Sequence, residues 1–167
     1  MNHPYNEIFL ERQMELHRFV FHKFLDNEEY DFYSIVDTYL RTSTLRAKID
    51  VGHLMSLTTG GKGPLISFDI KKCDKKSNNY TTPELPIVHF MANVYCMVQW
   101  MYNIPSKEIG VHLPAKELAN LYDKYYSNSL KSACRDIYKE YLSDIKSFDE
   151  LKEEEKKQNE NEEKERE

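Results

Sequence analysis

One stretch constrains the fold more than any other: residues 86–104, PIVHFMANVYCMVQWMYNI. Its apolar side chains run round the whole circumference of a helix, the pattern of a helix covered on every side. It is about as long as a membrane span. However, His89, Asn93 and Gln99 interrupt it, and Pro86 and Pro105 bound it. It therefore predicts a buried central helix over about 85–102, around which the rest of the chain must pack, and no membrane span.

The flanks supply the packing partners. Residues 5–26 have helical periodicity, with Ile8, Phe9, Leu16, Phe19, Val20 and Phe24 near one stripe and Glu7, Glu11, Glu15 and Arg18 toward water. A second helix is expected over about 30–48, turning Phe32, Ile35, Val36, Tyr39 and Leu40 inward and forming an antiparallel hairpin with the first. Four of the five glycines fall between Val51 and Pro64, an irregular region. Residues 65–72 fit a short strand or a helical turn, and 73–86 a polar loop. Ser106 is placed to cap a short helix. Pro114 suits the first turn of another helix, to about 126. A last one follows a cap at Ser127–Ser129 and runs to about 145, lined by Leu130, Ala133, Cys134, Ile137, Tyr138 and Tyr141. The expected fold class is thus mainly α: a compact bundle of about five to six helices around a buried central helix. It forms one helical domain over 1–148. Residues 149–167 hold no apolar side chain after Leu151, and read as a disordered acidic tail.

Charge narrows the function classes. The tail carries ten acidic and five basic groups, which accounts for the whole net charge of −5. The body is neutral, so a general nucleic-acid binder, which needs a basic footprint, is not indicated. Within it, residues 41–76 hold eight basic and three acidic groups, which keeps a small anion-binding surface in view. Three widely spaced cysteines without a CxxC pair, and no secretory leader in the first residues, point to a reduced, cytoplasmic protein.

Catalytic signals are weak. GGKG at 60–63 departs twice from a phosphate loop: Ser56 stands where the first Gly belongs and Gly63 where Ser or Thr belongs. A surface loop fits better. The six histidines form no HExxH or ExxH, no GxSxG occurs, and no cysteine has a nucleophile signature, so neither metal nor cofactor is expected.

Two segments remain. The first runs from Arg41 to His53. If it continues the second helix, Ser43, Arg46 and Asp50 share a face, and Arg46 and Asp50 are spaced for an i,i+4 pair. Arg41, Ser43, Arg46, Lys48, Asp50 and His53 are thus candidates for an anion- or partner-binding edge. The plainer reading is a helix end whose cations suit its dipole, followed by the Gly52 stop. The second segment is residues 99–108, where Trp100 and Tyr102 form either a recognition pocket or a core anchor. The RxSxxRAKxDxG pattern of residues 41–52 and the QWxYNIxSxE pattern of residues 99–108 resemble those of small, poorly characterised bacterial proteins. The proline-led helix with Leu118 and Tyr122 fits the same pattern, and the resemblance covers about residues 15–140. Those proteins are similar to accessory members of toxin–antitoxin-like cassettes, which often include a protein resembling an ADP-ribosyltransferase toxin. The resemblance implies a non-enzymatic interaction factor, antitoxin- or immunity-like, whose partner is another protein such as a toxin-like enzyme. The alternative is a nucleotide- or phosphate-binding protein or enzyme using the basic segment 41–76, with Arg46, Lys48, His53 and Lys62 around the phosphate.

Overall fold

The computed structural model describes residues 3–53 and 67–167. The described residues form nine α-helices, with one isolated antiparallel bridge between Tyr30 and Lys75. They are α1 Glu7–Leu25, α2 Phe32–Thr42, α3 Thr44–Asp50, α4 Leu85–Tyr102, α5 Ser106–His112, α6 Ala115–Asn120, α7 Tyr122–Tyr125, α8 Leu130–Ile137 and α9 Phe148–Arg166. The central helix is where the apolar run places it. Ten of the residues in α4 are buried, including Val88, Met91, Val94, Val98 and Trp100. Its most extensive packing is against α1, and α6 and α8 also lie against it. No described helix is long and apolar enough to cross a membrane.

Each boundary has a local cause. Asn6 caps α1 by accepting from the Phe9 N–H at 3.1 Å. Asp31 caps α2 by accepting from Tyr33 at 2.8 Å. The expected second helix breaks in two at Ser43, whose extended backbone ends α2 and whose Oγ caps α3 by accepting from the Arg46 N–H at 3.1 Å. Such hydroxyl side chains favour caps over helix interiors because they replace a backbone partner. α4 ends at Asn103, in the left-handed region with φ 50°, which asparagine tolerates better than most residues. Ser129 caps α8, accepting from Ser132 at 3.2 Å. Gly110 lets α5 lie close to α2, since a Cβ there would sit 3.1 Å from that of Leu40.

Several expectations change. Ser106 does not cap α5: Pro105 holds that position, and the Ser106 side chain turns inward. Ile8 and Phe19 are exposed, while α1 buries Leu10, Gln13, Met14, His17, Val20, Phe21 and Phe24. The buried stripe includes two polar residues, so a search for apolar side chains alone misplaces it. Of residues 65–72, those described contain a 3-10 turn, Ile70–Lys72. The GGKG at 60–63 and Lys62 lie outside the described residues. Where disorder is expected over 149–167 there is a helix, α9, with no buried residue. Ser147 caps it by accepting from Glu150 at 3.2 Å, and Glu153–Lys157, Glu160–Lys164 and Glu162–Arg166 have the favourable i,i+4 order.

Candidate functional site

The two sequence segments meet inside the bundle. Asp50, at the end of α3, accepts from the Ser106 backbone N–H at 2.7 Å and from its hydroxyl at 2.6 Å. Arg46, one turn earlier, donates through Nε to Ser106 Oγ at 2.8 Å and pairs with Asp50 at 3.1 Å. The Asp50 carbonyl accepts from Gln99 Nε2 at 3.3 Å. Arg46 is 1% exposed and Asp50 2%, so this is an internal ion pair. An unpaired charge in that position would cost several kcal/mol.

α1 completes the shell. Arg46 Nη1 donates to Gln13 Oε1 at 2.9 Å and to His17 Nε2 at 3.2 Å. His17 Nδ1 lies 2.8 Å from the Gln13 carbonyl. A carbonyl only accepts, so Nδ1 carries the proton and Nε2 is an acceptor, receiving Arg46 and the Tyr39 hydroxyl at 2.8 Å. Burial, then the Arg46 charge, holds the His17 pKa down at about 3. Burial likewise raises Tyr5 and Tyr39, and raises Cys96 to about 11 against the opposing pull of Arg46. For Asp50, burial raises the pKa while Arg46 and Ser106 pull it down; the net direction is upward. The result is a polar lock with a neutral imidazole, a protonated thiol and protonated phenols. None of these is poised to exchange a proton with solvent near neutral pH.

The remaining candidates divide by exposure. Ser43 is buried, capping α3 and touching Ser67 Oγ at 2.6 Å. Trp100 is buried, its Nε1–H donating to the Tyr5 carbonyl at 2.7 Å and its face stacked on His3 at 3.8 Å. Tyr102 is half-buried and stacks on Tyr138 at 3.6 Å. Ser43, Trp100 and the Arg46–Asp50 pair are turned into the bundle, and Tyr102 is partly covered. Arg41, Lys48 and His53 are exposed. Among the described residues no three His, Cys, Asp or Glu side chains come together to hold a metal. Arg41 borders a groove of about 430 Å³, which Thr44, Ala47, Val51, Lys107 and Phe148 also line. Phe148, at the root of α9, is tied there by its N–H to the Asn103 carbonyl at 2.9 Å.

Gln13, His17, Tyr39 and Ser106 were not among the sequence candidates. The readable signal was two polar residues at i,i+4 on the face of α1 that must meet α4. No protein-family model matches this chain, and no curated protein or solved structure matches it. What the fold defines is a helical bundle closed around an internal arginine–aspartate pair.

Proposed function

We propose that the chain is a non-enzymatic protein-interaction factor, of the kind that serves as an antitoxin or immunity factor, acting in the cytoplasm. The observation that carries this reading is the groove at the α2–α3 corner. It joins an exposed arginine, Arg41, to an aromatic wall, Phe148, with the exposed apolar Val51 beside them; arginine and aromatic side chains are enriched at interfaces. The ionisable groups of the Arg46–Asp50 cluster are internal and out of reach of a substrate in solvent, which further favours binding over turnover. Among the described residues, a phosphate-binding reading would rest on Arg41, Lys48 and His53, since Arg46 is already paired with Asp50.

The test is capture of the tagged full-length chain's partner from its native host, with an Arg41→Glu/Val51→Asp variant in parallel. Both positions are exposed, so the variant should fold. One stoichiometric protein partner, lost in the variant, is the expected result. A partner held equally by the variant removes this surface. Absence of any partner, together with a nucleotide that raises the melting temperature, transfers the assignment to a small-ligand site.

A further inference from the structure

The first turns of α4, helix α7 and the start of α8 enclose a second pocket, of about 230 Å³. Four aromatic side chains line it: Phe90, Tyr122, Tyr125 and Tyr126. Phe90 meets Tyr122 edge to face at 5.5 Å and 72°, and Tyr122 lies 5.6 Å from Tyr126 at 32°. Tyr126 is 65% exposed, an unusual position for so large a ring. The polar lining is Asn93, Asn128 and His89. Arg18 donates to Asn93 Oδ1 at 2.7 Å, which occupies that amide's acceptor and leaves its NH2 group as donor. Burial first, then Arg18 and His22, lowers the His89 pKa, so its ring is neutral near pH 7. Among the described residues no charged side chain lines this pocket.

That lining selects by chemistry. No acidic side chain lines the pocket to balance a cation, which Arg18 on Asn93 and Lys124 over the Tyr125 ring also repel, and the electron-rich ring faces disfavour an anion. Aromatic faces are electron-rich and attract partly positive C–H groups. Amide and hydroxyl donors require acceptors not already used elsewhere. A polyproline II segment offers both features, since its ring C–H faces are apolar and its carbonyls make no internal hydrogen bonds. Aromatic-lined grooves with a few donors are the general receptor for it. We propose that this pocket binds a proline-rich segment of a partner protein in the polyproline II conformation. The site is built from elements other than the α2–α3 groove, so the two readings stand or fall separately.

The experiment is a titration of the isotopically labelled full-length chain with a soluble deca-proline peptide, followed by amide chemical shifts, beside a Gly/Ser peptide of equal length. Saturable shifts confined to residues 86–93 and 122–133, absent with the Gly/Ser peptide, are expected. Tyr126→Ala, at an exposed position, should weaken binding about tenfold, the scale of one lost aromatic contact. Tyr126→Phe should retain most of it. No saturable shift at millimolar peptide would overturn the proposal, as would equal shifts from the Gly/Ser peptide or undiminished binding by Tyr126→Ala. Tighter saturation of the same amides by a mononucleotide would also overturn it, in favour of base stacking.

Discussion

Helices α1 and α9 are each 19 residues long, and they meet solvent in opposite ways. α1 buries seven residues, two of them polar, and lies along the central helix. α9 buries none beyond the half-covered Phe148 at its root. Both have a side-chain N-cap, at Asn6 and at Ser147, so capping does not explain the difference. α1 is held by tertiary packing and by the hydrogen bonds that Gln13 and His17 make to Arg46. Beyond its root, where the Phe148 N–H donates to the Asn103 carbonyl, α9 has only local terms: its cap, its i,i+4 pairs and the Lys146–Glu154 ion pair. Local terms of a few tenths of a kcal/mol each leave an isolated helix marginal in water.

The sharpest way to break the α1 side of that contrast is to remove one partner of its buried charge. Arg46→Leu leaves Asp50 without a counter-ion and should cost about 3–5 kcal/mol, read as a lower urea midpoint. An Arg46→Met/Asp50→Leu double variant should recover much of that, because no lone charge remains.

Acid tests the same lock through its histidine. The folded pKa of His17 lies below its ordinary value of 6.5, at about 3. Its contribution is therefore complete above pH 6.5 and lost as pH falls toward 3. At 1.36 kcal/mol per unit this is on the order of 5 kcal/mol. Asp37 works in the opposite sense. Burial raises its pKa to about 6, although the Ala115 N–H donates to it at 2.8 Å. Its contribution is present at low pH and fades as pH rises from its ordinary 3.8 through 6. Between pH 4 and 6 the two slopes oppose. His17→Gln should flatten the fall in stability from pH 6.5 downward relative to wild type, while Asp37→Asn should steepen it between pH 6 and 4. Unfolding free energies measured across this range decide both signs.

A smaller effect is expected where α3 ends. Gly52 has φ +84°, and an added Cβ would lie 2.7 Å from the Pro4 carbonyl oxygen. Gly52→Ala should cost about 1–3 kcal/mol from the left-handed backbone and the displaced N-terminal strand of chain. The smallest effect belongs to α9. A chain ending at Leu151 should keep its melting temperature within a degree or two, because surface changes that bury nothing fall within about 0.5 kcal/mol, yet lose far-ultraviolet helical signal.

Much of this was legible in the residues. The all-round apolar pattern of residues 86–104 located the central helix, and the i,i+4 spacing of Arg46 and Asp50 anticipated their pairing. Which way that pair points was not legible, because an amphipathic helix end with basic residues is ordinarily a solvated face. The deciding partners, Ser106 and Gln13, lie 60 and 33 residues from Arg46, and no local pattern connects them. The exposed positions of Ile8 and Phe19 were missed for a related reason: the buried stripe of α1 contains Gln13 and His17, which a hydrophobic search skips. The Ser147-x-x-Glu150 pattern is a capping signature, readable before an all-polar run, but composition spoke more loudly for disorder.

Native-state amide hydrogen exchange tests the contrast between the two helices most directly. Amides of α1 around Gln13, His17 and Phe21 should exchange only with global unfolding, and amides of α9 beyond Leu151 by local fraying, orders of magnitude faster. Protection of α9 equal to that of α1 would contradict this, and would mean that the acidic helix is packed against a surface of its own.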